Sequence, residues 1–309
     1  MLCWFAQRRG AVEELKVNIQ KTEWLDIVAQ LVSMLRGSLT TLDVDTYYVG
    51  VSPDHFSGLL ESVAQLTGLR ALKMALPPVG IALQLDGPNL QRCSLHGLTQ
   101  LESLVWGPDI RGPVGLRQLT RLTLLELGVF PSEQSQDAIK HLRQLHSLGI
   151  TSDPGMQGNE PSLAFLAGLT GLMDLRLRDV TLVGVPPTLS QLTMLQCEGS
   201  NLEGGAAWLR HLPRLKQLQL RLCELASLPA QLTCCTALRD LDLSLAIGLQ
   251  LSSADVRLVL AGLTGLTWLG LHGVDASRVS PSAWVDLCRA CPDLASMITG
   301  VGDSDGEDW

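Results

Sequence analysis

Aromatic residues are scarce in this chain. They make up 4% of its 309 residues, so leucine has to carry most of the packing. Long apolar runs are missing too. Hydrophobic residues reach 46%, yet no run approaches the ~18 residues needed to cross a bilayer, and no membrane partner is expected. The opening MLCWFAQRRG lacks a basic region followed by an apolar stretch of ~7–15 residues, as a secretory signal would have, and no N-x-[ST] sequon occurs. Basic clusters are absent beyond Arg8-Arg9, and the net charge is −8 with a pI near 5.2. A nucleic-acid partner is therefore not expected. The eight cysteines (Cys3, Cys93, Cys197, Cys223, Cys234, Cys235, Cys288, Cys291) show no compact disulfide spacing. Without a signal peptide they read as reduced thiols of a cytoplasmic protein.

Signatures of chemistry are just as sparse. Cys288-x-x-Cys291 lacks the second pair that a four-ligand zinc site needs, and the adjacent Cys234-Cys235 is poor chelation geometry. Cys288 and Cys291 are expected to pack on the last helix as small apolar groups, and Cys197, at an inward strand position, reads as core. Asp303-Ser-Asp305-Gly-Glu-Asp308 leaves no room for a calcium loop before Trp309, and Gly300-x-Gly302 follows no strand–helix nucleotide unit. The six histidines (His55, His96, His141, His146, His211, His272) recur in no motif with a nucleophile. No cofactor, metal or enzymatic activity is expected.

What the sequence does contain is a repeat. The unit L-x-x-L-x-x-L-x-L appears as LTGLRALKM from Leu66, LTQLESLVW from Leu98, LTRLTLLEL from Leu119, LRQLHSLGI from Leu142 and LTGLMDLRL from Leu169. It continues through LTMLQC, LPRLKQLQL from Leu212, CTALRDLDL from Cys235 and LTGLTWLGL from Leu263, with weaker copies near 12, 39 and 294. About twelve copies follow one another at spacings of about 20–32 residues. The period changes inside each copy. The final L-x-L alternates like a short strand, with leucines inward and the intervening residues outward, while the three-residue steps before it read as a tight turn or short helical segment. No copy can bury its own leucines. Stacked copies bury one another's, which predicts one leucine column and a parallel sheet.

Longer spacings are filled by predicted helices. TEWLDIVAQLVSMLR has Trp24, Ile27, Val28, Leu31, Val32 and Leu35 at helical spacing, with Thr22 as cap. SPDHFSGLLESVAQL places Ser52 as cap and Pro53 at the first helical position. Ser132, Ser253 and Ser280 are expected to start three further helices. The segments 106–115 and 152–162 read as Gly/Pro-rich loops between copies.

On these motifs the chain resembles the leucine-rich repeat proteins over residues ~12–300. GVPPTLSQLTML and SLPAQLTCCTALRDLDLS resemble the plant and typical subtypes; LCRACPDL resembles the cysteine-containing subtype of F-box proteins. WFAQRRGAVEELKV resembles the segment that follows an F-box, with no F-box visible. The resemblance implies an α/β leucine-rich repeat solenoid, a horseshoe with a concave parallel β-sheet and convex helices or turns. Residues 1–300 would form a single solenoid with 1–38 as the N-terminal cap or partial repeat, and 301–309 an acidic disordered tail. It further implies a monomeric, non-catalytic scaffold that binds a protein partner. Two settings fit: a ubiquitin-ligase substrate adaptor, or a cytoskeletal or ciliary axoneme component. The alternative is an extracellular recognition domain of receptor type.

The expected binding face is the set of outward strand residues. Their middle is small and weakly polar, whereas the second half carries Arg176, Arg178, Glu198, Gln219, Arg221, Asp240, Asp242, Trp268 and His272. Arginine and tryptophan are the types most enriched at binding hot spots, which makes these nine the candidate partner-binding residues.

Overall fold

In the computed structural model, the described residues are 12–21, 23–45, 53–75, 95–107, 115–152, 163–180, 182, 184–200, 202, 206–294 and 296–298. They fall into two compact units, Met1–Asp153 and Pro154–Trp309.

In the first unit the L-x-L segments are strands: β1 (Glu14–Asn18), β2 (Thr41–Asp45), β3 (Ala71–Ala75), β4 (Ser103–Trp106), β5 (Leu124–Leu127) and β6 (Ser147–Thr151). Each pairs with the next in parallel and in register, so Leu15, Leu42, Leu72, Leu104, Leu125 and Leu148 form one buried column. A parallel pair needs a crossover between its strands, and the residues between copies supply it. Helix α1 (Glu23–Met34) is one such crossover, α2 (Pro53–Val63) the next.

Helix α1 buries Leu25, Val28, Leu31, Val32 and Leu35. Trp24 and Ile27, expected on its apolar face, are instead 49% and 42% exposed. At 3.6 residues per turn the stripe centred on Leu25, Val28, Val32 and Leu35 turns both of them to the helix flank. Pro53 opens α2 as expected; the caps expected at Thr22 and Ser52 lie outside the described residues. Ser33 and Ser62, and Arg36 and Gln65, tie the two helices together with hydrogen bonds of 3.2 Å each. A third helix, α3 (Glu133–Ile139), starts where predicted, the Ser132 hydroxyl accepting from the Ser135 N–H.

In the second unit β7 (Asp174–Arg178), β8 (Met194–Glu198), β9 (Gln217–Arg221), β10 (Asp240–Asp242), β12 (Trp268–Gly270) and β14 (Ser296–Ile298) pair in parallel in that order. Leu175, Leu195, Leu218, Leu241 and Leu269 form the buried column, beside Leu177, Cys197 and Leu220. The short β11 (Gln250–Ser252) and β13 (Asp275–Arg278) pair separately. Tight 3₁₀ turns at Leu163–Gly168, Ala207–His211, Ala230–Cys234 and Leu260–Gly262 lead into the three-residue steps, which are themselves single turns: the Leu172, Leu215, Leu238 and Leu266 N–H groups donate to the carbonyls of Leu169, Leu212, Cys235 and Leu263 at 2.9–3.2 Å. Helices α4 (Ser253–Leu258) and α5 (Pro281–Ala290) complete the unit.

The cap of α4 is Ser252, not Ser253. In the sequence Ser252-Ser-Ala-Asp255, the Asp255 carboxylate accepts from the Ser252 N–H at 2.8 Å while the Ser252 hydroxyl accepts from the Asp255 N–H, a reciprocal box that Ser253 has no acid to form. Ser253 links copies instead: its hydroxyl accepts from the N–H of Ser280, the residue that caps α5 in position, at 2.8 Å.

Two devices recur at the strand ends. At the entry, a threonine hydroxyl donates to a carbonyl of the preceding copy: Thr40 to Glu13, Thr123 to Glu102, Thr193 to Met173 and Thr267 to Arg239, all at 3.0–3.1 Å. At the exits of the second unit's β7, β8 and β9, the residue after the strand is left-handed. Asp179, Gly199 and Leu222, directly after the paired Arg178, Glu198 and Arg221, have φ of 56°, 62° and 56°; Leu245 and Gly273 follow at 59° and 72°. Their N–H groups still reach across, Asp179 to the Glu198 carbonyl at 2.8 Å and Leu245 to that of His272 at 2.7 Å. The column thus ends the sheet without orphaning its donors, and leucine bears the cost of this conformation at two places where glycine fits without strain.

Truncating the spine should be expensive. Leu218→Ala, at a fully buried site, is expected to lower unfolding free energy by about 3 kcal/mol in urea titration. Gln219→Ala on the opposite face should change it by less than about 0.5 kcal/mol. Similar values for both would break the spine argument.

Candidate functional site

The strands that bury one leucine set necessarily present the alternate residues on the other face. In the second unit this face carries Asp174, Arg176 and Arg178 from β7, Gln196 and Glu198 from β8, Gln217, Gln219 and Arg221 from β9, Asp240 and Asp242 from β10, and Trp268 from β12. Parallel register brings eight of the nine expected residues onto contiguous strands. His272 is the exception: it is exposed but sits two residues past the end of β12.

The arginines on this face are already engaged. Arg176 pairs with Asp174 at 2.7 Å on its own strand. Arg178 donates through Nε and Nη2 to Glu198 on the next strand, at 3.1 and 2.6 Å. Arg221 lies 3.7 Å from the Asp242 carboxylate. Asp240 accepts from Gln217 at 2.8 Å and from the Thr267 hydroxyl at 3.3 Å. These pairs are solvent-facing and individually worth little, about 0–1 kcal/mol. Together they cancel most of the face's charge. Asp242 departs from expectation: it is buried, 8% exposed, its other oxygen accepting from the Ser244 N–H at 2.9 Å. It serves as a fixed anchor for Arg221 rather than as a protruding contact.

Trp268 is half-buried. Its ring folds back over Gly270 of the same strand, where an added Cβ would come within 2.5 Å of both the indole and the Asp242 carboxylate. The slot exists because the outward position two residues on has no side chain. The tip of the indole therefore occupies the space over Gly270, beside the Asp242 carboxylate, and the half-buried ring is restricted in the positions it can take. The first unit neutralises its face similarly: Lys73 lies 3.4 Å from Asp43 and 3.8 Å from Asp45, and Lys16 lies 3.0 Å from Glu14. Sequence reading missed this self-pairing, although aligning the copies places Arg178 beside Glu198.

No group of three or more His, Cys, Asp or Glu able to hold a metal occurs among the described residues, and no helix there is long and apolar enough to cross a membrane. Cys197, Cys223, Cys235 and Cys291 are buried, each inside the stack of copies. Cys288, expected to pack inside, is exposed, because α5 turns Ala283 and Leu287 inward and places position 288 about 100° round the helix from Leu287.

No family model matches the sequence, and no curated protein matches it at a significant level. Solved structures do match in fold. A leucine-rich repeat protein of Leptospira interrogans superposes with a TM-score of 0.54 at 14% identity, covering 96% of this chain and 98% of that one. An internalin, InlF, of Listeria monocytogenes gives 0.52 at 18% identity, covering 97% and 89%. The fold is that of the leucine-rich repeat proteins.

Burial raises the Cys223 and Cys235 thiols to about 11 each. An unfolded thiol loses its proton near 8.5, so between about pH 9 and 11 the folded state retains protons that the unfolded state releases. Stability should fall as pH rises through that window. Urea midpoints measured at pH 8 and 10.5 should show the drop, and a Cys223→Ala/Cys235→Ala variant should show a shallower one. At pH 8, a thiol reagent should modify the exposed Cys234 and Cys288 well before the four buried thiols.

Proposed function

We propose that this chain is a non-catalytic scaffold that binds a protein partner on the outward sheet face of its second unit. The fold supports this reading by fixing a row of side chains on in-register strands whose backbone cannot rearrange without breaking the leucine column. One observation carries it: the Trp268 indole reaches over Gly270 beside the Arg221–Asp242 pair. That combines a half-buried aromatic with charges that the chain itself compensates. A partner there would gain apolar contact from the indole and exchange hydrogen bonds with Gln219, Asp240, Arg176 and the Arg178–Glu198 pair, without having to neutralise a large field. His272 would lie at the rim of such an interface.

We read the protein as a cytoplasmic monomer acting either as the substrate adaptor of a ubiquitin ligase or as a component of the cytoskeleton or ciliary axoneme. Affinity capture distinguishes the two. Cullin-adaptor components in the bound fraction point to the first role, tubulin or dynein fractions to the second. An Arg221→Ala/Trp268→Ala variant, whose changes spare the core, should recover the same specific partner at least about tenfold less efficiently, since two central hot-spot residues commonly cost 1–2 kcal/mol each. Equal recovery by wild type and variant overturns the sheet-face assignment.

A further inference from the structure

Charge is unevenly distributed in the second unit. The described turn residues that lead into β8, β9, β10 and β12, namely 189–193, 206–216, 230–239 and 260–267, contain Arg210, His211, Arg214, Lys216 and Arg239 but no Asp or Glu. This is a basic rim on a chain of net charge −8. Folding assembles it. The Lys216 N–H donates to the Thr193 carbonyl and the Arg239 N–H to the Lys216 carbonyl, both at 2.8 Å. Lys216 and Arg239 therefore stand at the same position on neighbouring strands, ~4.8 Å apart in backbone spacing. That is well inside the ~8–10 Å screening length of physiological salt, so their fields add. Arg214 precedes Lys216 by two residues and Arg210 lies on the turn before it; all four cations are exposed.

The three arginines among these cations are held by neutral acceptors. Arg239 donates to the Gly265 carbonyl at 2.6 Å, Arg214 to the side-chain carbonyl of Gln191, and Arg210 to the His211 imidazole at 3.1 Å. Among the described residues, the ion pairs of this unit go to Arg176, Arg178, Arg221, Arg257 and Arg289 instead. Arg239 is also seated: a Cβ at Gly265 would overlap its guanidinium, so the glycine leaves the slot in which it lies. The sheet-face arginines are thus positioned and neutralised, whereas the rim arginines are positioned by neutral groups and keep their full charge.

We infer that this rim is a second interaction surface, separate from the sheet face, for an acidic Asp/Glu-rich segment of a partner protein. Arginine forks with open N–H groups match carboxylates bidentately. Among these turn residues the aromatic is Trp208, which is buried at 6% exposure, so the rim lacks the stacking platform used for single-stranded nucleic acid. The inference does not depend on the sheet face, and loss of the captured partner in the Arg221→Ala/Trp268→Ala variant leaves it untouched.

Fluorescence anisotropy with a fluorescein-labelled octa-glutamate peptide and the full chain tests it. Saturable binding is expected at ~50 mM salt, weakening several-fold at ~300 mM. Arg214→Glu/Arg239→Glu should weaken binding about tenfold or more, while Arg176→Ala/Arg178→Ala on the sheet face should bind like wild type. Circular dichroism and the urea midpoint check folding, and Arg214→Gln/Lys216→Gln provides the same readout should charge reversal unfold the chain. Absence of saturable binding, equal affinity in the rim variants, or tighter binding of an octauridylate RNA with the same loss on mutation would each overturn the proposal.

Discussion

The structure depends on one constraint: a copy of three to five strand residues cannot bury its own leucines. Leu175 or Leu218 alone would lie on a ribbon with solvent on both sides. Placed in register with the copies before and after, each becomes essentially inaccessible to water, and the gain of burying a leucine side chain, ~1.5–3 kcal/mol, recurs at every copy. Parallel pairing follows, because every copy approaches its strand through the same turn and leaves it the same way. The threonine hydroxyls at the strand entries and the left-handed residues at the second unit's exits serve that repetition: both satisfy backbone groups that the change of direction would otherwise strand.

Once the inward positions are committed, the outward ones have no freedom of direction. This is why functional surface arises on the sheet without any local motif. It also explains the electrostatics. Side chains in register on neighbouring parallel strands are about 4.8 Å apart at their backbones, so opposite charges at neighbouring positions pair whether or not a partner is present. Arg178 with Glu198 is the direct case, Arg221 with Asp242 the diagonal one. The turns before the strands obey the same spacing but contain no acids, and the same proximity that neutralises the sheet face concentrates positive charge on the rim.

Several expectations read from local pattern held. Ser132 caps α3, Pro53 opens α2, and Cys197 is core. Departures have a common origin. Trp24 and Ile27 satisfy helical spacing, yet spacing defines a stripe only up to rotation, and the neighbouring helix chose the stripe through Leu25 and Val32. Cys288 lies on the flank of α5 and stays exposed, while Cys291, just past its end, is buried. Ser252 and Ser253 are equally good caps by residue type; the acid three positions on selected the first. Asp242 reads as an outward carboxylate, and only the Ser244 N–H and Arg221 around it make it a buried anchor.

The leucine period by itself determined that the chain repeats, that each copy ends in a strand, which residues face inward and which outward, and that the strands run parallel. These follow from alternation and from the need to bury apolar area, both of which are local. Tertiary structure alone decided which charges meet. Arg178 and Glu198 lie 20 positions apart in sequence, and Lys216 and Arg239 lie 23 apart; nothing local marks the first as a neutral pair or the second as part of a basic rim. Copies of unequal length must first be threaded into register, and electrostatic energy depends on the distances that result.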